Sequence, residues 1–339
     1  MWVSNSHVFC KPTPEYIDKI LLRELVGALI STALLGIYIR LMYVFMSRST
    51  HFSNAFYKLF TLNGIMACGL HASHMVKKGT LFLAYFGIGV SSYHEPTKWK
   101  ATLIFFVFAF SLGLNFAQFF LSVNRLSAFI LVLSYERVWN TLFPYLSVFT
   151  FVVPSLVFCQ LFFLKSSFYT KCLDDNEFLD YFTLNIESAE DKWVDYNQIA
   201  FYVGITLVIS SLLVNGLTIG LFVRYWTSSI ARNNDTQSHR FSLILICVLD
   251  SFVPLFWELD YILDYESYFD IGHSKMIERI CALNILCMEI VLLLPSLWSL
   301  LCSKQIRHEF FNFSSNIRVH DSGSGSDRTA KRTATNVQA

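Results

Sequence analysis

LVGALISTALLGIYIRLMYVFM, from Leu25 to Met46, decides the class of this chain. Its length matches the roughly 20 apolar residues an α-helix needs to cross about 30 Å of hydrocarbon. Six further runs of this kind follow, at about Ala55 to Val76, Ala101 to Val123, Leu142 to Leu164, Ile199 to Val223, Phe241 to Leu263 and Ile280 to Cys302. The sequence therefore predicts an all-α membrane protein, a seven-transmembrane helix bundle with its termini on opposite sides. Leu81 to Val90 is apolar but too short to span, and reads as an ordered loop or interfacial segment; were it to cross, the count would become eight.

Composition points the same way. The chain is 54% apolar and 15% charged, whereas ordinary globular chains are about 25% charged, so it has little polar surface with which to cover a core. Its 33 Phe residues suit helices facing acyl chains. Net charge is +1 and no Lys/Arg stripe interrupts the apolar runs, which argues against a nucleic-acid partner. Met1 to Lys19 is polar and lacks the basic, apolar and small-residue regions of a cleavable signal, so the first helix is expected to act as its own insertion signal.

Lys and Arg divide almost evenly between the two sides, which makes the usual orientation rule weak here. Acidic residues divide sharply, with DDNEFLD at Asp174 to Asp180 on one side, while the tail on the other carries Lys304, Arg307, Arg318, Arg328, Lys331 and Arg332. The N-terminus is placed outside on this basis. The acceptor triplets Asn234-Asp235-Thr236 and Asn312-Phe313-Ser314 then face the cytoplasm and should carry no glycan. The predicted organisation is 1–22 as extracellular N-terminus, 23–302 as bundle, 303–313 as interfacial helix and 314–339 as a disordered cytoplasmic tail. In SKQIRHEFFNF, Ile306, Phe310 and Phe313 fall on one side, with Lys304, Arg307 and His308 available to headgroups. The tail is rich in Ser, Thr and Gly; its hydroxyls are either phosphorylation sites or inert.

Ionisable and amide side chains at membrane depth are functional candidates, because burying them costs free energy unless they face the bundle interior or water. They are Asp250, Glu258 and Asp260 in the sixth run, Asn284 and Glu289 in the seventh, His71 and His74 in the second, Asn115 and Gln118 in the third, and Asn215 in the fifth. Each has a bland alternative, a hydrogen bond between helices contributing about a kcal/mol or less. Asp250 is the hardest to dismiss, four residues before the helix-kinking Pro254. His71 and His74 share a helix face but have no third metal ligand at a fixed spacing, which favours packing or pocket lining. Cys10 and Cys172 lie in the outer connections and could pair there. The motifs HExxH and GxSxG and the Gly-rich phosphate loop are missing, so no enzyme is expected, and no cofactor or metal. There is no internal repeat of the transporter kind; a ligand-gated channel or another seven-helix protein of reversed topology ranks second.

The most specific stretch is FFLSVNRLSAFILVLSYERVWN, Phe119 to Asn140. Asn124 and Arg125 end the third span, and Tyr135, Glu136 and Trp139 open the next. A lone Arg at a helix end is usually a snorkelling anchor. The combination resembles the nematode serpentine chemoreceptors of class gamma, in which N-R-x-[ST] follows the third helix and a Y-E-x-x-W-like stretch precedes the fourth. Lys58 to Gly64, Pro144, Pro154 and LLLPSLWSLLCSKQIR at Leu292 to Arg307 also fit, so the resemblance covers roughly residues 21 to 310.

That resemblance implies a G-protein-coupled receptor of sensory neurons, binding a small extracellular molecule and signalling to a heterotrimeric G protein from the plasma or ciliary membrane. Asn124 and Arg125 would then match the acidic-Arg-aromatic motif of rhodopsin-like receptors and, with Tyr135, Glu136, Trp139 and Asp250, form the switch. The pocket is expected among outer-half positions, His71, His74, Phe105, Phe106, Tyr202, Glu258 and Tyr261. Two features depart from rhodopsin-like receptors: no Cys lies near the outer start of the third helix, and Leu294-Pro295-Ser296-Leu297-Trp298 replaces Asn-Pro-x-x-Tyr.

Overall fold

In the computed structural model, residues 14–47, 54–85, 97–131, 133–172, 178–186, 196–227, 293–301 and 304–311 are described. Cys10, the sixth run with Asp250, Glu258, Asp260 and Tyr261, the start of the seventh with Asn284 and Glu289, and the tail all lie outside those residues. The described elements are α1 (Pro14–Ser47), α2 (Ala55–Tyr85), α3 (Lys98–Ile130), α4 (Tyr135–Val157), a 3-10 turn (Cys159–Phe162), strands β1 (Ser166–Cys172) and β2 (Phe178–Ile186), α5 (Tyr196–Thr227), α6 (293–301) and α7 (Lys304–Phe311). Among them, Leu25–Ser47, Lys98–Ile130, Tyr135–Val157 and Gln198–Arg224 are long and apolar enough to cross a membrane. α2 is as long, at 31 residues, with Lys58, Asn63, His71 and His74 in its interior.

α3 is the hub, packing against α2, α4, α5, the 3-10 turn and β1. Of its spanning window 56% is buried, against 11% for α4, which exposes Tyr145, Val148, Phe149, Val152 and Leu156 as an apolar face suited to lipid. The reason lies in side-chain spacing. On α3 the buried Ser111, Asn115, Gln118, Ser122 and Arg125 recur at alternating steps of four and three, as do Gly204, Val208, Ser211, Asn215, Thr218 and Phe222 on α5. That pattern on both partners suits helices crossing at a shallow angle of about 20°. Small residues bring backbones close: a methyl on Gly113 would lie 2.9 Å from Met66 Sδ and 3.1 Å from the Thr150 carbonyl oxygen, and one on Gly64 would run into the Tyr38 ring. Asn63 Nδ2 donates to the Tyr38 hydroxyl at 3.2 Å, joining α2 to α1.

Several helix ends differ from the sequence expectation. α1 begins at Pro14 rather than near Leu25, because Pro is suited to the first helical position, where its missing N–H costs nothing. Leu81 to Tyr85 continue α2 instead of forming a separate loop or interfacial segment; a single Gly79 costs a helix only about 1 kcal/mol. Asn124 and Arg125 do not end the third helix, which runs on to Ile130. α4 begins at Tyr135, where the Tyr-Glu-Arg-x-Trp stretch put its opening and ahead of the apolar run at Leu142, and it ends at Val157 rather than Leu164. Its early start follows from a tight turn in which the Ser134 and Tyr135 amides both donate to the Leu131 carbonyl at 2.8 Å, and its early stop comes three residues after Pro154.

Between α4 and α5 the described residues include two strands. β1 and β2 form an antiparallel hairpin, Ser166 opposite Ile186 and Cys172 opposite Phe178, with an irregularity between Tyr169 and Lys171. β1 lies against α3. The bundle therefore has two distinct ends, one bearing the hairpin and the 3-10 turn, the other bringing together the start of α2, the end of α3 and the start of α4. α7 packs on α1, with Ile306 buried in the same apolar cluster as Leu34, Tyr38, Leu293 and Leu300.

Candidate functional site

At the end of the bundle opposite the hairpin, three helices meet through side chains. Asn54 precedes α2 and caps it: the Phe56 amide donates to Asn54 Oδ1 at 2.9 Å, the arrangement that makes Asn a favoured N-cap. Asn124 and Arg125 are buried, at 1% and 8% exposure, and the Arg125 guanidinium stands 5.5 Å from the centroid of the Phe56 ring, a cation–π pairing of about 2 kcal/mol where water is excluded. From α4, the Tyr135 hydroxyl lies 2.9 Å from Asn124 Oδ1 and 3.3 Å from Asn54 Oδ1. One turn further on, Trp139 donates its indole N–H to Ser127 Oγ at 2.6 Å, and Ser127 donates to the Asn124 carbonyl at 2.8 Å. Lys58 Nζ donates to Asn140 Oδ1 at 2.7 Å, a second tie between α2 and α4. The Arg125 cation thus stands over an aromatic face, beside a set of hydrogen bonds that joins α2, α3 and α4.

The outer-half positions are less unified. His71 is buried on α2 and His74 half-buried. Phe105 is buried, its ring 4.1 Å from that of Phe162 in a cluster with Phe158 and Leu161. Phe106, 42% exposed, stacks on Phe110 at 6.0 Å. Tyr202 is 57% exposed and meets the adjacent Phe201 ring. Tyr202 and Phe106 therefore stand exposed, whereas His71 is buried. Both were selected by depth along the span; the helical face, set for α5 by Ala200, Gly204 and Val208, puts Tyr202 off the packed stripe. Lys100, which the sequence did not single out, is fully buried, with Nζ 5.7 Å from the Trp99 ring centroid.

A family model described as Srg family chemoreceptor matches residues 28–310. The chain belongs to the Srg chemoreceptor family. This is the class gamma family of nematode serpentine receptors, with seven transmembrane helices, and it confirms the resemblance read from the third-helix junction. No curated protein matches the chain. The match runs from within α1 into α7, so both the cluster around Arg125 and the positions near the hairpin end belong to the Srg receptor proper. The chain is accordingly a multi-pass membrane chemoreceptor.

Within the Srg frame the structure joins Asn124, Arg125, Tyr135 and Trp139 into one cluster and leaves Glu136 exposed at its edge. It adds Asn54, Phe56 and Ser127. Ser127 was in view as the last letter of the N-R-x-S stretch. Asn54 had a signal too, since an Asn just before an apolar helical run marks an N-cap, whereas nothing in the sequence places Phe56 under Arg125.

Proposed function

We propose that this Srg receptor takes a small extracellular molecule between the outer halves of its helices and passes the signal to a heterotrimeric G protein through the cluster around Arg125. The observation that carries the reading is the buried guanidinium over Phe56, flanked by the Asn124–Tyr135 pair. Such a cation can hold α2 and α3 together in one state and receive a partner's carbonyls or carboxylates in the other. In this reading the N-terminus faces outside, the hairpin end is extracellular, the cluster and α7 are cytoplasmic, and the receptor resides in the plasma or ciliary membrane of sensory neurons. His71, His74, Phe105, Phe106 and Tyr202 are the described candidates for the pocket; Glu258 and Tyr261 for the pocket and Asp250 for the switch lie outside the described residues. A Cys10–Cys172 disulfide would tie the segment before α1 to β1. The ligand acts only by binding one packing better than the other.

The test is nucleotide exchange on a G protein co-expressed with the receptor, driven by an extract or compound that activates the wild type. Arg125→Gln keeps a polar side chain and removes the cation. The expected result is normal surface density with ligand-evoked exchange reduced on the order of tenfold or more, the size of losing one interaction of about 1.4 kcal/mol. Unchanged exchange at equal surface density would sink the coupling role.

A further inference from the structure

With Asn124 oriented as it is, the hydrogen bonds around Tyr135 leave donors and acceptors mismatched. Its hydroxyl has one proton and lies within reach of two carbonyl oxygens, Asn124 Oδ1 at 2.9 Å on α3 and Asn54 Oδ1 at 3.3 Å at the head of α2. Only one of them can be served at a time. The other half of the mismatch is Asn124 Nδ2, which is buried and has no hydrogen-bond partner among the described residues.

We propose that Asn54 is a positioning residue of the inner-end switch, the second of two acceptors between which the Tyr135 proton alternates. In one arrangement Tyr135 donates to Asn124 Oδ1 and Asn124 Nδ2 stays idle. In the other, Tyr135 donates to Asn54 Oδ1, and the Asn124 amide, whose two ends are alike in shape, turns over so that Nδ2 donates to the Tyr135 oxygen. The second arrangement gives the Asn124 amide donor a partner but exchanges the 2.9 Å contact for the 3.3 Å one, so the two differ by about one net hydrogen bond, about 1 kcal/mol, a gap that a ligand preferring one of them can reverse. The consequence for the rest of the cluster runs through Asn54 itself. Its Oδ1 also accepts the Phe56 amide, and the Phe56 ring carries Arg125. Drawing Asn54 toward Tyr135 therefore moves the first turn of α2 and the aromatic face beneath the guanidinium, while releasing it lets that face leave.

The inference builds on the G-protein reading, so its test has one arm in signalling and one outside it. Asn54→Ser still caps α2 but is too short to reach Tyr135; Asn54→Asp still caps α2 and, as a carboxylate, holds the proton more strongly. Ligand-independent nucleotide exchange is measured at equal surface density for both, alone and combined with Tyr135→Phe. The two Asn54 substitutions are expected to shift basal exchange in opposite directions, each on the order of threefold to fivefold, the factor that one net hydrogen bond makes in a two-state equilibrium. With Tyr135→Phe present, the difference between them should vanish. Shifts in the same direction, or a difference that survives Tyr135→Phe, would overturn the proposal and leave Asn54 as a cap alone. Outside signalling, thermal unfolding of the purified full-length receptor should show Asn54→Ser and Tyr135→Phe to be less than additive, whereas additive losses count against the pairing. If Arg125→Gln leaves exchange intact while the unfolding coupling is present, the G-protein reading fails and the two-acceptor bond stands.

Discussion

Trp139 and Ser127 give the account a quantitative handle. The indole N–H donates to Ser127 Oγ at 2.6 Å, Ser127 donates onward to the Asn124 carbonyl at 2.8 Å, and Trp139 is buried. Ser127→Ala leaves that N–H buried without an acceptor, a loss of about 1–3 kcal/mol. Trp139→Phe removes the donor together with part of a packed ring, about 2–3 kcal/mol from the lost bond and the space left behind. The double variant has neither donor nor acceptor, so it should lose less than the sum of the two by about 1 kcal/mol, the net value of the bond. Thermal unfolding of the purified receptor in one detergent reads this out. On the scale of soluble domains of about 150–250 residues, 1 kcal/mol is roughly 2–4 °C in Tm. If the losses add to within about 0.5 kcal/mol, the scatter of independent sites, the indole and the hydroxyl do not interact and the α3–α4 tie is wrong.

Two glycines make opposite predictions. Gly113→Val puts a branched side chain 3.1 Å from a backbone carbonyl of α4 that cannot rotate away, so a loss of about 2 kcal/mol or more is expected, seen as poor surface expression and a lowered Tm. Gly36→Ala meets no atom within 4 Å on an exposed face of α1 and should leave stability unchanged or raise it by up to about 1 kcal/mol, in the same Tm measurement.

Much of the bundle was legible because lipid imposes a length and a composition on each crossing: Leu25 to Met46, Ala101 to Val123 and Ile199 to Val223 each fall inside an observed helix. Helix ends were less legible, since hydropathy stops where lipid stops while a helix continues as long as its backbone bonds do. Ile130 shows this, in helix though it lies beyond the predicted end of the third run at Val123. The hairpin at Ser166–Ile186 was missed because a loop read only for its acids, DDNEFLD among them, yields no strand period. At the inner end, Asn124, Arg125, Tyr135 and Trp139 were found as a pattern, yet their bonding depends on a four-residue turn folding α4 back onto α3, a tertiary fact. Tyr202 and Phe106 stand exposed because depth along a span does not fix the face a residue presents.

The central claim is that the cluster of Asn54, Arg125 and Tyr135 stands on the cytoplasmic side, where a G protein can reach it. Topology in living cells tests that most directly, with one epitope tag placed before Met1 and another after Ala339, stained before and after permeabilisation. The account predicts that the first tag stains on intact cells and the second only after permeabilisation. The reverse pattern would put Arg125 outside and contradict the mechanism, and both tags on one face would contradict a seven-span chain.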